Sequence, residues 1–380
     1  MRIDLEHFPP PSGFYYSTKE YCAQETLNNK KTTYYSEFTF DHSSIRSMPK
    51  SIHSSIPWEF KRAYYNIPPK EFVAEIPRGR IVEGCHLVTE NNKILWDVSI
   101  HYGPYLTVEP NNHPLLQMKH LPPMKETTDK AAALTFCASQ YYYHWMFDIL
   151  PRIRLLSLKG IKVDKYIINR NGPKQPFQDE TLHKLGINSD KIIEADKKFH
   201  MRASNLVVSS LSGYKGQMPK WTCDFLRESF LDNDEIVEND SGSKLIYITR
   251  QNARHRKVIN DLKIQEFLKE IGFKIIKLET LSVKEQARLF NNAKVIVGAH
   301  GGGFTNLVFC QPNTKVIELF SPTWVAPLYW ILSNHLDLDY YFLIGEGERP
   351  PDYVDVPGCF NDIEIKMKKL KKTLKLAGVY

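Results

Sequence analysis

In the stretch YYYHWMFDILPRIRLL, His144, Asp148 and Arg152 stand four residues apart, the spacing that sets side chains on one face of a helix. An imidazole and a carboxylate one turn apart can make a general base near neutral pH, because each tunes the protonation of the other. The same residues also fit a plainer arrangement: an Asp148–Arg152 surface pair, or a histidine satisfied in the core. Pro151 marks a kink or a helix edge beside them.

A second group of reactive types lies in VIVGAHGGGFTNLVFC. His300, Gly301, Gly302 and Gly303 sit between a strand-like run and a short helical one. Glycines there let the backbone approach a ligand, and a helix N-terminus offers N–H groups and partial positive charge; both suit a phosphate or diphosphate. A tight turn needs only one glycine, so three in a row favour an anion site. His300 can add a hydrogen bond to that anion. Asn306 can reach a ligand or cap backbone. Glu318 closes the next apolar run, where a carboxylate either accepts from ribose hydroxyls or merely caps the strand. Arg250 follows directly on the run KLIYIT, with Arg254 and Arg256 close behind, and guanidinium forks bind diphosphate oxygens in a bidentate way. The spacing matches neither GxGxxG nor GxxxxGK[ST], which disfavours a dinucleotide fingerprint and a P-loop.

These residues need elements to hold them. Residues 70–120 alternate apolar and polar types around turn-like Arg-Gly and Glu-Asn-Asn-Lys, as antiparallel strands do. NNHPLLQMKHLPPMKETTDK reads as a loop by its proline and polar content. Over 131–215, short apolar runs (AAALTFCA, YIIN, NLVVSS) alternate with helical ones, as in a parallel sheet with helices on its faces. Residues 231–243 are acidic, end in Gly and Ser, and form the expected linker. Their Asp232-Asn233-Asp234 resembles a metal-binding DxD in letters only. From 244 to 345 the alternation sharpens, with Ser282 and Glu285 opening one helix as a capping box, and a doubly wound α/β domain is expected. The expected organisation is an N-terminal domain over 1–230, irregular in its first ~65 residues, then the linker and a C-terminal domain over 244–345. A basic helix within 346–380 packs back on the N-terminal domain.

The chain has 380 residues, enough for two domains, and its 42% hydrophobic and 24% charged residues suit a soluble globular protein. No run reaches the ~18–20 apolar residues of a membrane span. The start MRIDLEHFPPPSGFYY shows no secretory pattern, so a cytoplasmic location is expected. The six cysteines are scattered without a CxxC pair and are expected to be reduced thiols. Net charge is +7, and the tail EIKMKKLKKTLKLAG sets Ile363, Met367, Leu370 and Leu374 at helical spacing among lysines. That basic face is either simply solvated or drawn peripherally to an anionic membrane. Nucleic acid is not an expected partner, because the basic residues do not interleave with stacking aromatics.

Taken together, YYYHWMFDILPRIRLL, YITRQNARHRKVIN and VGAHGGGFTNLVFCQPNTKVIELFSP resemble three blocks of glycosyltransferase family 61, in the family's order. With the segments between them they span about residues 70–345. The third block is the most specific: an HGAG-type loop, here with glycine for alanine, then Thr305-Asn306, a proline-containing turn and a strand ending in Glu-Leu. The resemblance implies an α/β chain of GT-B fold, two Rossmann-like domains facing across a cleft, with an irregular and β-rich N-terminal region. It implies inverting, metal-independent transfer of a sugar from a nucleotide sugar, UDP-linked in first expectation, to a hydroxyl of a glycan, lipid-linked or protein-linked acceptor. No cofactor beyond that donor is implied. Under it, Asp148 is the base, with His144 as neighbour or substitute. Arg250, Arg254, His300, Gly301, Gly302, Gly303, Thr305 and Asn306 surround the donor diphosphate, and Glu318 the ribose or sugar. One rival, a nucleotide-sugar epimerase or dehydrogenase, wants an N-terminal GxGxxG and a YxxxK pair, and neither stands out. The other is a non-catalytic nucleotide- or glycan-binding module of a polysaccharide assembly complex, which would be indifferent to losing Asp148.

Overall fold

In the run AAAL every residue, from Ala131 to Leu134, is at most 1% exposed, as expected of a strand covered on both faces. The computed structural model, which describes residues 3–4, 8–27, 34–41, 46–65, 70–102, 108–170, 172–213, 218–231, 244–354 and 358–380, places this run at the end of an eleven-residue strand, Met124–Leu134. The stretch KETTDK, expected to be loop, therefore belongs to the sheet. Its residues pair in parallel with the strand His200–Ser209, from Met201 opposite Lys125 onward, and their polar side chains are tolerated because that half of the strand is only partly covered.

The chain divides into two compact units, Met1–Asp41 with Pro69–Tyr214, and His42–Pro68 with Lys215–Tyr380. In the first, four strands run parallel in the order Ile192–Ala195, Lys165–Asn169, Met124–Leu134, His200–Ser209. Numbered along the chain this is 3-2-1-4, so the order reverses between Met124–Leu134 and His200–Ser209. The sheet then turns antiparallel through Arg80–Val82, His86–Val88 and Lys93–Leu95, as the alternation over 70–120 predicts. The first 41 residues are less irregular than expected: they add the helix Thr18–Leu27 and the strands Gly13–Tyr15 and Tyr34–Glu37, which pair with Lys93–Leu95 and Phe72–Pro77. This unit is thus a mixed sheet with a parallel half.

The second unit is wholly parallel, in the order Lys274–Ile276, Leu245–Ile248, Val295–Ala299, Lys315–Phe320, Asp339–Ile344, Lys50–Ser51. Along the chain the first five read 2-1-3-4-5, a doubly wound order that reverses between Leu245–Ile248 and Val295–Ala299. The capping box is present: the Ser282 hydroxyl accepts from the Glu285 N–H at 3.2 Å and the Glu285 carboxylate accepts from the Ser282 N–H at 2.7 Å.

Three boundaries differ from expectation. Residues 42–68 join the second unit, because Lys50–Ser51 extends its sheet and Phe60, fully buried, wedges among Phe320, Trp330, Tyr340 and Phe342. The helix Lys220–Phe230 also falls in the second unit, and the expected linker 231–243 lies, but for Leu231, outside the described residues. The C-terminal helix Met367–Leu376 packs on the second unit, not the first: Leu370 and Leu374 are 0% exposed in one core with Tyr247, Val297 and Ile317. Each such leucine contributes about 1.5–3 kcal/mol. The exposed lysine pairs to Glu346 are weak by comparison, so the apolar face decides where the helix sits. No helix among the described residues is long and apolar enough to cross a membrane.

Candidate active site

The first group sits just beyond the carboxyl end of Met124–Leu134, where the strand order of the first unit reverses. The loop leaving that strand is clamped by Asn169, whose carbonyl accepts from the Phe136 N–H at 2.9 Å and whose amide donates to the Phe136 carbonyl at 2.8 Å. The helix that follows is not continuous. Tyr142–His144 is α, Trp145–Ile149 is a π turn closed by the Leu150 N–H donating to the Trp145 carbonyl at 3.1 Å, and Pro151–Leu158 resumes as α. Pro151 supplies no N–H and so removes one bond of the α ladder just where the turn widens. All five π residues are buried, and the Trp145 indole donates to the Thr181 hydroxyl at 2.8 Å.

Inside this turn His144 Nδ1 lies 2.7 Å from Asp148 Oδ2, with the histidine side chain 24% exposed and the aspartate 10%. The rings of Phe136 and Tyr102 flank the imidazole at 5.2 and 6.1 Å. Arg152 does not form the surface pair that spacing allowed. It is fully buried, donating to the Ser209 hydroxyl at 3.1 Å, the Thr135 carbonyl at 2.8 Å and the Ser209 carbonyl at 3.0 Å. Burial lowers its pKa to about 10, so it stays charged at neutral pH, tying the helix to the ends of two strands.

The second group occupies the corresponding edge of the second unit. Arg250 follows Leu245–Ile248 and His300 follows Val295–Ala299, the two strands between which the order reverses; open α/β sheets bind ligands there. The Arg250 guanidinium donates to the carbonyls of His255 at 2.9 Å and Arg256 at 3.3 Å, and Nη1 has no hydrogen-bond partner among the described residues. A Cβ on Gly301 would stand 2.0 Å from that Nη1, and one on Gly303 2.7 Å from Leu278 Cδ1. The space cleared by these glycines is thus filled by the protein: Gly301 lets the arginine lie against the loop, and Gly303 seats the helix Gly302–Phe309. Burial, with Arg256 nearby, lowers the Arg250 pKa to about 10, leaving the group charged at neutral pH.

Several expected ligands prove to be scaffold. Glu318 does not end its strand: Lys315–Phe320 continues two residues further, and Glu318 is 0% exposed, opposite Gly298 and Phe342. Its oxygens meet His300 Nδ1 at 2.5 Å and accept from the Tyr340 hydroxyl at 2.5 Å, so it does not face a ribose. Asn306, also 0% exposed, donates to Gln286 at 2.6 Å and to the Gly303 carbonyl at 3.2 Å, while Thr305 is buried beside Tyr329. Arg254 is exposed. Arg256, by contrast, joins the group: it donates to the Cys359 carbonyl at 3.0 Å and lies over Trp324, whose ring is 4.8 Å from that of His300. Trp324 and Tyr329 carry no motif and escape sequence reading; position beyond a strand end was the signal available. Two cavities of about 340 and 580 Å³ lie elsewhere in this unit, one beside Lys274 and Arg288, the other at the amino ends of strands around Lys315 and Asp339; of the side chains grouped around Arg250 and His300, only Tyr340 lines either, the second.

The sequence model of the family Glycosyltransferase 61 matches residues 142–317, from the turn before His144 to the residue preceding Glu318. A protein of Oryza sativa subsp. japonica, Beta-1,2-xylosyltransferase RCN11, is 33% identical over 88 residues, 23% of this chain and 16% of the relative. The Beta-1,2-xylosyltransferase of Arabidopsis thaliana is 36% identical over 64 residues, 17% of this chain and 12% of the relative. The matched part of the chain thus spans about a sixth or less of the length of these relatives. Residues 142–317 of the chain are thus similar in sequence to glycosyltransferase family 61.

Proposed function

We propose that the protein is an inverting, metal-independent glycosyltransferase that moves a sugar from a nucleotide sugar to a hydroxyl of a glycan. The names of its relatives favour a pentose, xylose first, and UDP is the carrier we expect. The observation that carries this reading is the placement of a histidine–carboxylate pair and of an arginine with a free N–H group, each at the strand-order reversal of its own sheet. Inversion needs a base on the attacking hydroxyl and cationic stabilisation of the departing diphosphate; the first unit carries the one and the second the other. The acceptor oxygen forms a bond to the anomeric carbon as the bond to the diphosphate breaks, and the hydroxyl proton passes to the base.

The pair geometry favours His144 as that base. With Asp148 at Nδ1, the ring keeps its proton on that side and leaves Nε2 to receive another, while the less exposed carboxylate orients it. This reverses the assignment implied by the family blocks, in which Asp148 takes the proton. A thermal-shift and hydrolysis screen against nucleotide sugars, with and without EDTA, tests the proposal. A melting rise with one donor, unchanged by chelation and lost in Arg250→Ala, is expected. No response to any donor, or one that needs a metal, rejects it.

A further inference from the structure

We infer that Tyr340, Glu318 and His300 form a directional hydrogen-bond chain that makes the His300 Nε2–H a donor to a phosphate oxygen of the nucleoside diphosphate; the inference rests on the donor-site reading proposed above. The order of the chain follows from its surroundings. The Tyr340 hydroxyl donates to Glu318 Oε2, and Oε1 lies 2.5 Å from His300 Nδ1. Glu318 is fully buried, and among the described residues no lysine or arginine forms an ion pair with it. A carboxylate in that position would be a buried charge with no lysine or arginine in ion-pair contact, and although the Tyr340 hydrogen bond and the Arg256 charge favour it, burial outweighs both. Burial accordingly pushes the Glu318 carboxyl well above its usual range. It also holds His300 neutral, with Arg256 and Arg250 acting in the same direction.

The proton count then settles the ring. If Glu318 carries its proton on Oε1, it donates to Nδ1, and the single N–H of a neutral imidazole is left on Nε2. That nitrogen has no hydrogen-bond partner among the described residues, on a residue only 3% exposed and packed between Phe320, Trp324 and Tyr329. A deprotonated Glu318 would instead draw the N–H to Nδ1 and turn a lone pair outward, which repels a phosphate oxygen. Glu318 and Tyr340 are therefore positioning residues: they touch no ligand, yet they decide whether the histidine attracts or rejects the anion.

The test is calorimetric titration of the full chain with whichever of UDP, GDP, CDP and ADP the wild type binds most tightly. His300→Ala and Glu318→Leu are expected to weaken binding about tenfold and Tyr340→Phe about threefold, whereas Glu318→Gln, whose amide reproduces the protonated acid, recovers affinity to within about twofold of wild type. Toward alkaline pH the wild-type affinity falls as Glu318 ionises, and the glutamine variant does not share that fall. A glutamine variant as weak as the leucine one overturns the inference, because the group would then act as a carboxylate. Wild-type affinity in Tyr340→Phe overturns it too, and that variant serves if Glu318→Leu does not fold. Arg250→Ala with unchanged affinity, or a wild type that binds none of the four, removes the donor site itself. Arg250→Ala that loses binding while Tyr340→Phe and Glu318→Leu keep it removes only the chain.

Discussion

Among the described residues, two histidine–carboxylate pairs have nearly the same geometry, and their exposure separates them. In the first unit His144 and Asp148 meet at 2.7 Å with side chains 24% and 10% exposed; in the second His300 and Glu318 meet at 2.5 Å, 4% and 0% exposed. The first ring is open to solvent. The second is flanked by the rings of Phe320, Trp324 and Tyr329, and its carboxylate partner is fully buried and bonded by Tyr340. Under the proposed function, the same two side-chain types would serve as a cycling base in one place and a fixed donor in the other, with water access making the difference.

The largest effect that would break this contrast is on turnover. Asp148→Asn, which disturbs the tautomer of His144, should lower the rate by about 10²-fold or more in steady-state kinetics; a near-normal rate would reduce the first pair to structure. Next is stability in acid. Burial holds His300 well below its usual value and lowers the His335 pKa to about 4, so the folded chain refuses protons that the unfolded chain accepts. These histidines should each remove about 1.4 kcal/mol per pH unit as pH falls from about 6.5 toward 4, while the raised Glu318 works in the opposite sense and removes stability as pH climbs above the usual carboxylate range. Chemical denaturation at stepped pH checks this, and His300→Gln should flatten part of the slope.

A smaller change tests the scaffold of the second pair. Asn306→Ala leaves Gln286 and the Gly303 carbonyl without a donor and should cost about 1–3 kcal/mol in unfolding free energy, with little change in donor affinity for the part that stays folded. A loss of affinity at full stability would restore Asn306 as a ligand. Smallest is Gly301→Ala: its Cβ must displace the Arg250 guanidinium, and donor affinity should drop about tenfold.

The second unit was the more legible in sequence, because each of its core strands is a short apolar run closed by a turn and each connection is local. Even there KVIEL suggests a strand end at Glu318, but Phe320 carries the ladder further and the carboxylate is buried. In the first unit, Met124–Leu134 was half hidden because the polar residues of KETTDK leave no apolar run. The π turn was invisible, since His144 and Asp148 meet four residues apart in either helix type. Residues 42–68 could not be assigned locally, because the partners that hold them lie nearly three hundred residues away in the chain.

Donor binding and sugar transfer measured side by side in His144→Ala test the division of labour most directly. If His144 is the base and the second unit holds the donor, affinity for the nucleotide sugar stays within about threefold of wild type while transfer falls by about 10²–10⁴-fold. Transfer at the wild-type rate, or affinity lost in step with transfer, would contradict it.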